Sequence, residues 1–312
     1  MEKKEIYLPN GDARIGEPES PINEKRISFS GPRSLEAEEW FGEATRRRDL
    51  RNETQDTYNY AKIELKSDRP VAIGITGDWH LGSQSTNLEM LKRDIAIIAE
   101  HPLVAGAIFT GDLCEAANFN PAQDEHILNW EEQRQWMESI FETVGQERIL
   151  SIFKSNHDHK WERKHGTSKY DGLSEKYGCP VFYGNSYIDL YVNDINYRMM
   201  GSHTLRGNSI YTNTHPAIRG HKEVQGLDVV FCGHTHRKGF TQQSVREFNG
   251  ARKTYSIVSG TYQDGTEYTK DCGYGLQKEE EQGMWWLCLN DKTKGVKVLD
   301  TEAMVETMSN YL

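Results

Sequence analysis

The sequence predicts an α/β fold leaning toward α+β, a layered sandwich of mixed β-sheets with helices outside. Three observations lead there. Apolar runs alternate with helical segments from Val71 to Phe153, the pattern of an α/β core. After Val181 the balance shifts to strands. Acid and histidine residues recur just past the apolar runs, where ligands gather in open α/β sheets.

Taken in order, residues 1–32 carry Pro9, Pro18, Pro21 and Pro32 among charged residues and read as an extended arm. Ser34 is placed to cap a helix from Leu35 to Arg51, whose basic end reads as a solvated face. We therefore divide the chain into an N-terminal polar arm and helix, 1–60, and one domain, 61–312. Val71–Gly77 reads as a buried strand, followed by a helix from Leu88 to Glu100. Val104–Phe109 is the second strand, Gln123–Val144 the next helix, and Arg148–Phe153 the third strand. Further strands are expected at Tyr187–Val192, Asn196–Gly201, Asp228–Cys232, Thr254–Ser259, Met284–Leu289 and Val296–Leu299. Short helices are expected at Pro216–Gln225 and Glu302–Ser309.

Composition narrows the function classes. A formal charge of -10 argues against a protein that coats nucleic acid by charge alone, but not against a local basic site. The five cysteines are odd in number and form no Cys-x-x-Cys pair, so neither a disulfide framework nor a zinc ribbon is expected. No apolar signal region opens the chain and no run reaches membrane-spanning length. A cytoplasmic protein without a membrane partner is the expectation, and no protein partner is indicated.

The chemistry-bearing residues fall in five motifs. Gly77-Asp78-Trp79-His80 follows the first strand and Gly111-Asp112 the second. Asn156-His157-Asp158 follows the third, His203 a later one, and Gly233-His234-Thr235-His236 the strand after that. In extended backbone, residues i and i+2 point the same way, so Asp78 and His80 would leave their strand side by side. Any one motif is equally well a turn, a cap or a core histidine. Five in order at strand ends are hard to explain so.

This order of motifs resembles the calcineurin-like metallophosphoesterase superfamily, and most of all its nuclease-type and phage-encoded branches. The resemblance covers residues 71–240. It implies two mixed sheets flanked by helices, with a dinuclear metal site at the strand ends and 61–312 as the metallophosphoesterase domain. By resemblance Asp78, His80 and His236 hold one ion, Asn156, His203 and His234 the other, and Asp112 bridges them. It makes His157 a catalytic group beside the substrate, with Asp158 orienting it. His215 and His221 lie close behind His203, which is preferred because it directly follows a strand. Ser155 stands where the family usually has glycine, so a slightly different turn is expected there.

The residue types support this chemistry on their own. Two carboxylates, one amide and four imidazoles form a mixed N/O donor set suited to manganese foremost, with iron or zinc as alternatives. Two such ions polarise a phosphoryl group and activate a water as nucleophile, with His157 the candidate to protonate the leaving oxygen or to neutralise charge on the phosphoryl oxygens. The expected activity is metal-dependent hydrolysis of phosphate esters. Lys160, Arg163, Lys164, Arg206, Arg219, Lys222, Arg237 and Lys238 make the ligand-bearing loops basic, and Trp79 and Trp161 are candidates to stack on bases. These favour a phosphodiesterase or nuclease acting on DNA. The alternatives are a phosphatase or diesterase for a small nucleotide or phosphoprotein, and a non-catalytic scaffold of the same fold.

Overall fold

The computed structural model describes residues 4–8, 22–29, 38, 41–42, 45, 59–115, 126–165, 168–170, 172–207, 209, 211–247, 250–265 and 279–311. Its core is the strand β4 (Val71–Thr76), buried at every position. Alternation sorts its side chains. Val71, Ile73 and Ile75 face a second sheet, whereas Ala72 joins the layer beneath the helices.

Two mixed sheets result. In the first, β4 pairs in parallel with β5 (Val104–Phe109), which continues to β6 (Ile149–Lys154) and β7 (Val181–Tyr183). Antiparallel β13 (Trp285–Leu289) and β14 (Val296–Leu299) extend its other edge. The second sheet runs through eight strands. These are β1 (Lys4–Leu8), β2 (Ile22–Phe29), β3 (Asn59–Ser67), β8 (Ser186–Val192), β9 (Ile195–Ser202), β10 (Val229–Cys232), β12 (Gly250–Val258) and β11 (Gly239–Glu247), in that spatial order.

Four layers follow. Ile63, Leu65, Leu190, Phe231 and Ile257 of the larger sheet pack against Ile73, Ile108, Phe153 and Leu287 of the smaller one. The outer face of the smaller sheet is covered by α1 (Leu88–Glu100), α2 (Trp130–Val144) and α6 (Thr301–Ser309), through Leu91, Ile98, Met137, Phe141 and Met304. Ala217 of α5 (His215–Glu223) packs on Met200, Val230 and Val258 outside the larger sheet. The helices α3 (Asn156–His165) and α4 (Leu173–Tyr177) lie in the connection from β6 to β7. The expected sandwich is therefore the observed one. No described helix is long and apolar enough to cross a membrane.

Several elements differ from expectation. Within the stretch read as an arm, β1 and β2 form an antiparallel pair that adds to β3. β3 has no counterpart among the expected strands, although Ala61, Ile63 and Leu65 alternate with Lys62 and Glu64 in the period of two of a half-buried strand. Glu38, Phe41, Gly42 and Thr45 are helical and exposed, as expected of the 35–51 helix; its basic end lies outside the described residues. α2 begins at Trp130, not Gln123, because Asn129 and Glu132 form a reciprocal capping box.

Candidate metal centre

The loops after β4 and β5 are zipped together by their backbones. Asp78 N donates to Gly111 O at 2.8 Å, His80 N to Asp112 O at 3.0 Å, and Leu81 N to Leu113 O at 2.9 Å. Their side chains are not presented by extended chain. Asp78, His80, Asp112, His234 and His236 all adopt the left-handed region, at φ of 49°, 51°, 49°, 73° and 55°. Such conformations are uncommon outside glycine, favour Asp, Asn and His among the rest, and cluster at functional sites. The i, i+2 convergence expected from strand geometry is thus achieved by turns.

Glycines permit the close approach. A Cβ on Gly233 would lie 2.5 Å from Asp78 Oδ2, and one on Gly111, at φ 103°, 2.8 Å from His203 Nδ1. Without Cβ atoms there, His234 N reaches both oxygens of Asp78 at 3.1 Å.

Six of the seven sequence-predicted ligands fall into two groups. Asp78, His80 and His236 bring one ligand atom each within 4.8 Å of one another, and Asp112, His203 and His234 do the same. In the first group His80 Nε2 is 3.0 Å from His236 Nε2, which is 3.3 Å from Asp78 Oδ1. In the second, His203 Nε2 is 3.1 Å from Asp112 Oδ2. The outer nitrogens of both buried histidines are already engaged. His80 Nδ1 donates to Glu115 Oε2 at 2.8 Å, and His203 Nδ1 to the Thr110 carbonyl at 2.9 Å. Each Nε2 is left for the centre. Asp112 Oδ1 and Asn156 Oδ1 are buried without a hydrogen-bond partner, which is how acceptors awaiting a cation present themselves. The donor set and its unmatched atoms fit divalent cations.

The charges are mutually supporting. Burial alone would lower the His80 pKa, but Glu115, with Asp112 and Asp78 beyond, raises it to about 9. Burial likewise opposes protonation of His203, and Asp112 and Asp78 raise it to about 9. Burial would raise Asp112, yet His157, His203 and His80 hold it well below the usual carboxylate range. His234 is lowered, first by burial and then by His203.

The third motif opens α3. Ser155 caps the helix: Asp158 N donates to Ser155 Oγ at 3.2 Å, and Ser155 N to Asp158 Oδ2 at 2.7 Å. This gives a physical role to serine in place of glycine. His157 meets the centre, its ring centroid 6.4 Å from that of His80 and its Nδ1 buried without a partner. The expected link from Asp158 to His157 is not made. Asp158 is engaged by Ser155 and by Lys169, and adjacent residues on a helix do not face each other. His215 opens α5 and belongs to neither group.

Glu115 and Gln263 escaped sequence reading. Gln263 Nε2 donates to the same Glu115 oxygen at 2.9 Å. Glu115 lies three residues past Asp112, a local signal; Gln263 arrives from a distant loop and has none. Both candidate base-stacking residues are used in packing. Trp79 is fully buried against Phe109 and donates to Thr76 Oγ1, and Trp161 stacks on Trp130 at 3.9 Å. Lys238 sits over the Trp285 ring and Arg219 pairs with Glu223. Lys160, Arg206, Lys222 and Arg237 are exposed; the side chains of Arg163 and Lys164 lie outside the described residues.

No family model and no curated protein matches the chain. Among solved structures it is similar to zinc-complexed Vps29 from Entamoeba histolytica, at 13% identity and TM-score 0.34, over 74% of this chain and 99% of that one. It is also similar to a metallophosphoesterase from Sphaerobacter thermophilus, at 13% identity and TM-score 0.33, over 77% and 94%. A predicted phosphoesterase from Streptococcus pneumoniae aligns at 13% identity and TM-score 0.31, over 75% and 91%. Likeness at this level does not bear on activity.

Proposed function

We propose that this chain is a two-metal hydrolase of phosphate esters. The observation that carries the reading is the pair of adjacent acid–histidine groups whose buried histidines turn their Nε2 atoms inward. Asp78, His80 and His236 would hold one divalent cation, and Asn156, His203 and His234 the other. Asp112, whose charge acts on both His80 and His203, would be shared. Manganese, iron or zinc suits these donors. Bound there, the cations would supply Lewis acidity toward a phosphoryl group and a water able to attack it.

The chain's own residues do the rest. Glu115 and the Thr110 carbonyl keep the two imidazoles oriented. His157, at the edge of the centre, is placed to pass a proton to a leaving alkoxide. Exposed Lys160 stands on α3 with Asn156, and Arg206 and Arg237 on the loops that carry His203 and His236; together they attract a polyanion. A phosphodiester in DNA remains the proposed substrate. Its structural support is those basic residues, since both tryptophans are used in packing. The complete acid–histidine groups speak against a non-catalytic scaffold.

The test is a manganese-supplemented panel of single- and double-stranded DNA, cyclic dinucleotides and p-nitrophenyl phosphates, run on the chain and on Asp112→Asn. Hydrolysis of one class, abolished by the substitution, is expected. No hydrolysis of any phosphate ester by the metal-loaded chain would defeat the proposal.

A further inference from the structure

We infer that Lys169 is a positioning residue for this centre: its buried ammonium holds Asp158 and thereby fixes the first turn of α3, which carries Asn156 and His157. The inference rests on the two-metal reading above and adds a residue to it.

Lys169 and Asp158 are 3% and 2% exposed, so neither charge is met by solvent. They pair directly, Lys169 Nζ on Asp158 Oδ1, while Asp158 Oδ2 accepts Ser155 N. Asp158 thus meets a cation from a later segment, the Tyr170 hydroxyl and the helix cap. The ammonium also lies 5.4 Å from the Trp130 ring and 5.2 Å from that of Tyr170. Trp130 opens α2 and stacks on Trp161 of α3, so the lysine is wedged where both helices meet.

Stability alone does not account for such a pair. Buried ion pairs recover little more than their desolvation cost, and apolar replacements of both partners are often neutral or better. What the pair supplies is a fixed geometry. Asn156 and His157 are the first two residues of α3, held between Ser155 and Asp158. With Asp158 deprived of its cation, the Ser155 amide loses a fixed acceptor and the turn that aims Asn156 and His157 is free to shift.

The test uses Lys169→Met and the double variant Asp158→Asn/Lys169→Met, both stripped of metal and titrated with Mn²⁺ by electron paramagnetic resonance. Amide exchange of Ser155 is followed in the metal-free chains. In Lys169→Met one ion is expected to bind as in the parent and the other about 10–100-fold more weakly, the usual effect of a lost outer-shell partner. Ser155 is expected to exchange at least ~10-fold faster while β6 amides stay unchanged. If Lys169→Met does not fold, the double variant leaves no buried charge unpaired and must show the same split. The inference is overturned if a folded variant keeps both Mn²⁺ affinities, or if both ions weaken equally with exchange accelerated throughout the chain. Should the parent chain bind no Mn²⁺, the two-metal reading falls, and Ser155 exchange still decides whether Lys169 holds the turn.

Discussion

His80 turns its Nε2 to within 3.0 Å of His236 Nε2, while Glu115 holds its Nδ1 at 2.8 Å. The carboxylate keeps a proton on Nδ1, so Nε2 is the nitrogen left to bind a cation once its own proton is displaced. Glu115→Gln keeps a hydrogen-bonding side chain but removes the charge. We expect it to weaken binding of one ion by about 10–100-fold without unfolding the chain, measured by metal titration against circular dichroism. Unchanged affinity would show that His80 needs no orienting acid.

The same acids set a pH dependence. In the metal-free chain His80 and His203 are raised from 6.5 to about 9, against burial, by Glu115 and Asp112 respectively. A raised histidine pKa contributes stability that is whole below 6.5 and lost as pH climbs through about 9. The unfolding temperature of the metal-free chain should therefore fall over that window. Metal must displace the same protons, so Mn²⁺ affinity should climb over it and uptake should release protons. Calorimetric titration in two buffers of different protonation enthalpy measures that release; zero release would contradict the assignment.

Gly233→Ala introduces a Cβ 2.5 Å from Asp78 Oδ2. Either the carboxylate or the backbone must move, at a cost of about 1–3 kcal/mol for an overpacked interior. Lower thermal stability together with weakened binding of one ion is the expected result. A variant with parental metal affinity would show that Asp78 need not sit where it does.

His203 and His215 are distinguished by position, one within a ligand group and the other opening α5. His203→Ala should lose one ion outright, beyond the ~10–100-fold effect of an outer partner. His215→Ala should keep both, by elemental analysis after reconstitution. The reverse pattern would transfer the role to His215.

His157 tests the proton transfer. A sugar alkoxide needs a proton to leave, and a p-nitrophenolate hardly does. His157→Ala should lose about 10²-fold or more on an alkyl diester and much less on a p-nitrophenyl ester, with metal content unchanged. Equal losses would assign His157 to charge stabilisation instead.

The sequence by itself determined the strands of the smaller sheet's core and the residues at their ends. β4 and β5 are buried on both faces, so their apolar runs are continuous and announce themselves. It also determined which residue types stand at those ends, because Asp and His beside glycine are what left-handed turns and metal binding both admit. Only the tertiary structure decided how these residues meet. His203 and His234 reach Asp112 across a sandwich whose two sheets come together through long-range packing, which no local pattern records. It also moved Asp158 from His157 to Lys169 and Ser155, and both tryptophans into packing. A side chain's type is written locally, but its partner is chosen by whichever buried charge or surface the fold brings within reach.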